Sequence, residues 1–206
     1  PVVTPFREDE SINEDALRQI VDYLIAAGVH GLFPSGSQGE LWALSTEEKM
    51  RVMDVVIEQA AGRVFVMPST GAVTTRESIA LTRHAEEAGA DAVSVITPYF
   101  IKPSADELRR HFAAIANAVS IPVLAYNNPD RTGVPIPPAV AAAVAGEASN
   151  FCGVKDSSGD LTNTMSYIEE CPQGFRTLMG RDTMIYAGLA YGCVGAVAAT
   201  ANVAPE

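Results

Sequence analysis

The stretch AVSVITPYFIKPSADELRRHFAAIANAVSIPVLAY, residues 92–126, holds one complete unit of the architecture. Residues 92–97 form a short apolar run rich in β-branched side chains and closed by proline, the pattern of a buried strand. Ser104-Ala105-Asp106-Glu107 has capping-box spacing, in which hydroxyl and carboxylate each satisfy an orphan backbone N–H at a helix start. Leu108, Phe112, Ile115 and Val119 then recur on one helical face. Residues 121–126 are a second apolar run. Strand, helix and strand in this order imply a crossover between two parallel strands.

The same unit extends in both directions. Further apolar runs lie at residues 1–4, 30–34, 64–68, 151–155, 175–179 and 194–199, making eight in all. Most are apolar on both faces, as strands of a covered parallel sheet are. The weakest is 175–179, which Arg176 and Thr177 interrupt. Two more capping boxes read Ser45-Thr46-Glu47-Glu48 and Thr74-Thr75-Arg76-Glu77. Val52, Met53, Val56, Ile57 and Ala60 form one apolar stripe, and Leu17, Ile20, Val21, Leu24 and Ile25 another. Gly28, Gly62 and Gly89 stand where helices need a left-handed stop.

Eight strands with no linker or shift of composition predict a single α/β domain over residues 1–206. A closed (β/α)8 TIM barrel fits better than an open doubly wound sheet. The first strand runs into Thr4-Pro5-Phe6, without the glycine-rich phosphate turn that an open sheet usually carries there. Few residues follow the last strand, so the barrel is expected to be incomplete at its C-terminal end.

Composition narrows the function. The chain is 48% hydrophobic and 19% charged, which is globular rather than disordered. Its net charge of −11 repels phosphate backbones and argues against nucleic-acid binding. No apolar run approaches the roughly 20 residues that cross a bilayer, and no basic-then-apolar leader opens the sequence. Cys152, Cys171 and Cys193 are widely spaced, and so are His30, His84 and His111. Neither set makes a disulfide framework or a metal site, and small buried cysteines fit a reducing cytosol.

A barrel of this kind places its chemistry at the carboxyl ends of the strands. Lys155 ends the apolar run Phe151-Cys152-Gly153-Val154, whereas Lys49 and Lys102 lie where solvent is expected. A lysine in the barrel mouth is desolvated, which lowers its pKa and readies the neutral amine to attack a carbonyl. The alternative is a lysine snorkelling outward or paired with Asp156. Tyr126 ends the neighbouring strand, within reach as a proton shuttle, or else with its hydroxyl in water. Gly36-Ser37-Gln38-Gly39-Glu40 permits a tight turn whose N–H groups converge on an anion, unless it is a generic loop. Arg131 offers a bidentate anion anchor, or else pairs with Asp130.

Together these residues resemble the dihydrodipicolinate synthase / N-acetylneuraminate lyase family, the pyruvate-dependent class I aldolases. The matches run from Thr4-Pro5-Phe6 to Thr200-Ala201-Asn202. Between them lie Gly36-Ser37-Gln38-Gly39-Glu40, Thr97-Pro98-Tyr99, Tyr126-Asn127-Asn128-Pro129, Gly153-Val154-Lys155-Asp156, Gly180-Arg181-Asp182 and Gly195-Ala196-Val197. The resemblance implies that Lys155 forms an imine with pyruvate and that Tyr126 relays protons. It implies that Ser37 and Gln38 hold the pyruvate carboxylate, with Gly180 and Val197 lining the pocket and Arg131 holding the second substrate's carboxylate. It also implies an aldehyde co-substrate, no separate cofactor, a cytoplasmic enzyme and a homotetramer built as a dimer of dimers.

Two residues depart from the family pattern. Gln38 stands where the loop usually has threonine. Phe100 stands where synthases carry a second tyrosine that completes a proton relay across a subunit interface. The family's last barrel helix and C-terminal helical segment also lie outside these residues. The competing expectations are an aldolase or dehydratase for 2-keto-3-deoxy sugar acids or 4-hydroxy-2-oxoglutarate, and a non-catalytic barrel that binds a keto acid.

Overall fold

The structure, a computed structural model, describes residues 1–205. Helix α1 (Glu14–Ala26) leads to β1 (Gly31–Leu32), α2 (Thr46–Ala60) to β2 (Phe65–Val66), and α3 (Thr75–Glu87) to β3 (Val93–Ile96). Helix α4 (Ala105–Ala116) leads to β4 (Val123–Asn127). The single turn α5 (Pro129–Thr132) and α6 (Pro138–Glu147) precede β5 (Phe151–Asp156). Helix α7 (Leu161–Glu170) precedes β6 (Arg176–Met179), and α8 (Ile185–Ala190) precedes β7 (Gly195–Ala196). Every ladder is parallel: β1 pairs with β2, and the order β3-β4-β5-β6-β7 forms a second run. A parallel bridge between Ser69 and Ser94 joins the two. The result is the expected barrel class of parallel strands wrapped by helices.

Seven strands, not eight, are present among the described residues. Residues 1–4 take no regular secondary structure; Val2 N–H donates to the carbonyl of Phe33, the residue after β1 (3.0 Å), but no ladder forms. Val2 is nonetheless buried, so the apolar pattern there reports packing rather than pairing. The runs at 30–34 and 64–68 shrink to two-residue strands, each followed closely by a proline (Pro34, Pro68) with no N–H to give to a ladder. Helices α6, α7 and α8 went unread in the sequence. In α6 the run of alanine and valine has no periodic stripe to mark a buried face.

The capping boxes at Ser45 and Ser104 both form in full. The one at Thr74 is half-formed. Its hydroxyl accepts from Glu77 N–H, but the Glu77 carboxylate turns to the Thr46 hydroxyl (3.1 Å) and Lys49 Nζ (3.3 Å). Lys49 is therefore buried and ion-paired rather than in solvent. Gly28, Gly62 and Gly89 take the expected left-handed conformation, with φ of 90°, 70° and 91°.

Alternate residues of the strands feed two apolar layers. Val93, Val95, Val123, Ala125 and Val154 face a helix layer that includes Leu108, Phe112, Ile115, Val144 and Tyr167. Phe33, Met67, Ile96, Leu124 and Tyr126 fill the barrel interior. Fully burying one such side chain contributes about 1.5–3 kcal/mol. Among the described residues no helix is long and apolar enough to cross a membrane.

Candidate active site

Register places the candidate reactive groups on one level. Ile96 pairs with Tyr126, Tyr126 with Lys155, and Lys155 with Leu178, so all four leave the sheet at the same height. Parallel pairing makes this possible, because every strand presents the same end to the same rim. The Lys155 side chain is buried, at 5% exposure. Its Nζ sits 3.7 Å from the Tyr126 ring centroid and 4.1 Å from that of Phe33. Among the described residues no carboxylate lies within salt-bridge distance of it, so pairing with Asp156 does not occur. Asp156 turns the other way, accepting from Asn127, Ser158 and Thr164.

This environment decides the protonation of the pair. Burial disfavours the ammonium and lowers the Lys155 pKa from its usual value, against smaller opposing effects of Tyr126 and Asp182. Two aromatic faces partly compensate whatever cationic form remains. For Tyr126, burial raises the phenol pKa. The nearby Lys155 amine and hydrogen bonds with Ser37 and Asn128 outweigh it, and the net shift is downward. The amine is thus more readily freed of its proton, and the phenol beside it is a better proton donor to a group bound in the cavity.

The loop after β1 meets Tyr126 from the opposite wall. Ser37 Oγ lies 3.2 Å from the Tyr126 hydroxyl, which also accepts from Asn128 Nδ2 at 3.0 Å. The tight turn is real, but its origin differs from the expected one. Left-handed backbone falls on Ser35 (φ 54°) and Glu40 (φ 56°), not on the flanking glycines. Gly36 is required for space instead, since a Cβ there would stand 2.5 Å from the Phe33 ring. Gly180 plays a similar part: a Cβ would overlap Ser157 Oγ and come within 3.2 Å of Lys155 Cε.

All seven residues singled out in the sequence line one cavity of about 470 Å³: Lys155, Tyr126, Ser37, Gln38, Arg131, Gly180 and Val197. Arg131 is exposed and has no ion pair among the described residues. Asp130, its expected partner, binds Arg181 instead, at 2.6 Å. Phe100 does not line this cavity and is 87% exposed.

The family model for the dihydrodipicolinate synthetase family matches residues 1–206. This chain belongs to that family. It is 44% identical over 206 residues to the 4-hydroxy-tetrahydrodipicolinate synthase of Methanopyrus kandleri, covering 100% of this chain and 69% of that protein. The enzyme of the same name from Acidiphilium cryptum is 43% identical over 205 residues, covering 100% of this chain and 70% of that protein. Among solved structures, a prophage protein of this family from E. coli K12, in complex with pyruvate, matches with a TM-score of 0.96. It is 37% identical, and the match covers 100% of this chain and 70% of that one. Dihydrodipicolinate synthase from Aquifex aeolicus matches with a TM-score of 0.96 at 32% identity, over 99% of this chain and 69% of that one. The dihydrodipicolinate synthetase family is one of class I aldolase-type lyases, and this chain is an enzyme of that class.

Three groups of this family member's site went unassigned in the sequence. Phe33 looked like an ordinary strand residue, and nothing in a one-dimensional pattern says that its ring covers an amine. Asn128 sat inside a recognised motif without a role, and its amide orients the Tyr126 hydroxyl. Asp182 accepts from the N–H groups of Ala199 and Thr200, which fastens the chain after β7 to the β6 loop. Burial raises the Asp182 pKa, and those two bonds with other contacts more than offset it, so the carboxylate stays ionised beside the cavity.

Proposed function

We propose that this chain condenses pyruvate with aspartate semialdehyde through an imine on Lys155, the activity of a 4-hydroxy-tetrahydrodipicolinate synthase. One observation carries the reading: a buried amine with no carboxylate partner among the described residues, held against two aromatic rings at the end of a cavity. Neutral Lys155 attacks the pyruvate ketone and forms a C–N bond, giving a carbinolamine. The Tyr126 hydroxyl protonates its oxygen, which leaves as water, and an iminium remains. Loss of a methyl proton gives an enamine. Its carbon adds to the aldehyde, whose oxygen takes up a proton, and water then releases the product and frees the amine. Backbone N–H groups of the Ser37-Gln38 turn suit the pyruvate carboxylate, and Arg131 suits the carboxylate of the acceptor. The sequence of steps needs no separate cofactor.

The decisive experiment is borohydride reduction in the presence of pyruvate. A reduced pyruvyl adduct on Lys155, seen by mass spectrometry and absent without pyruvate, is the expected result. An unmodified lysine would end the imine reading. One observation favours a different reaction, the cleavage of a 2-keto-3-deoxy sugar acid or 4-hydroxy-2-oxoglutarate to pyruvate and an aldehyde. Phe100 brings no hydroxyl to a relay that a synthase uses. Turnover compared with aspartate semialdehyde, glyoxylate and glyceraldehyde separates these. The exposed apolar tip Phe100-Ile101 supports assembly as a homo-oligomer, a dimer of dimers, and the setting we infer is the cytoplasm.

A further inference from the structure

The mouth of the cavity carries two guanidinium groups in different company. Arg131 has no carboxylate partner among the described residues, whereas Arg181 places Nη2 2.6 Å from Asp130 Oδ2 and 3.5 Å from the Ser158 carbonyl. The Arg181 guanidinium lies flat against Gly159 (φ +77°), where a Cβ would stand 2.9 Å from Nη2. One side chain thereby ties together the loops after β4, β5 and β6. Asp130 and Arg181 line the same cavity as Lys155. Their side chains are 60% and 43% exposed, and an ion pair so open to water holds weakly and yields to a competing anion. An anionic group that enters the cavity meets Arg131 unopposed and Arg181 already neutralised by a neighbour it can replace.

We propose that Arg181 is a second anion-binding group of the acceptor pocket, masked by Asp130, and that this pair sets how much negative charge the aldehyde acceptor carries. With the mask in place the cavity offers one free guanidinium, suited to a monocarboxylate. Without it two guanidiniums serve one cavity, which suits a doubly charged phosphate. The consequence for acceptor choice rests on the imine reading above, but the masking itself does not.

The test therefore has two arms, both on the full chain. Calorimetric titration with inorganic phosphate and with acetate needs no imine. Asp130→Asn is expected to tighten phosphate binding about tenfold or more, the scale of one hydrogen bond to a charged group, and to leave acetate nearly unchanged. Asp130→Ser should do the same, which guards against a folding defect in either variant. The double variant D130N/R181Q should lose the gain. In the kinetic arm, the ratio of kcat/KM for glyceraldehyde 3-phosphate over aspartate semialdehyde should rise in D130N and fall back in the double variant. Phosphate affinity unchanged in both single variants, or a gain that survives in the double variant, overturns the proposal. A chain that traps no pyruvate sinks the imine reading alone, because the phosphate titration still decides the masking.

Discussion

In the proposed mechanism Lys155 and Tyr126 act as one unit, and their variants should separate chemistry from stability. Tyr126→Phe keeps the ring against Lys155 Nζ and removes only the hydroxyl. It should lower kcat by about 10²–10⁴-fold, the usual worth of a positioned acid or base, while stability falls by only about 1–3 kcal/mol as the Asn128 amide loses its acceptor. Steady-state kinetics and a thermal melt together check this. Lys155→Met should abolish the borohydride adduct while raising stability by about 0.5–2 kcal/mol, since methionine carries no charge to desolvate. The pH dependence has a definite sign. Between the lowered folded pKa of Lys155 and the usual value near 10.5, the unfolded chain binds more protons than the folded one. Stability of the unaltered chain therefore climbs with pH across that interval. The methionine variant, followed by urea denaturation at several pH values, should lack the climb.

At the scale of elements, the same linkage runs through a histidine far from the chemistry. His111 on α4 is buried, and its Nδ1 lies 2.9 Å from the Thr75 hydroxyl at the start of α3. Burial lowers its pKa from 6.5 to about 4. The folded state stays neutral there while the unfolded chain protonates, so stability is complete above pH 6.5 and falls as the pH drops toward 4. The full loss is about 3 kcal/mol at roughly 1.4 kcal/mol per unit. Melting temperatures between pH 7 and pH 4 should show this decline, and His111→Gln should flatten it. The elements themselves were unevenly readable. Two capping boxes and three left-handed glycine stops could be taken straight from the chain, because each is a contact between residues a few positions apart. The third box failed at Glu77, whose carboxylate had a better offer from Lys49 on another helix. No local rule contains that partner.

Over the whole molecule, an acidic chain of net charge −11 gathers arginines around one opening. Local arrangement, not total charge, sets what that opening attracts. Arg131→Gln should raise KM for a carboxylate-bearing aldehyde about tenfold or more, as expected on loss of a charge-assisted bond. Pyruvate trapping on Lys155 should persist, and the two readouts together identify Arg131 as an acceptor group.

Fold class, the alternation of strand and helix, and the candidacy of Lys155 follow from the sequence by itself, because period, capping and the rarity of lysine at an apolar strand end are local properties. The missing first ladder, the pairing of Asp130 with Arg181 rather than Arg131, and the rings of Phe33 and Tyr126 closing over one amine were decided only by the tertiary structure. Each depends on how loops from different strands converge on a single rim, and such distances are set by how the strands lie side by side in three dimensions, not by spacing along the chain.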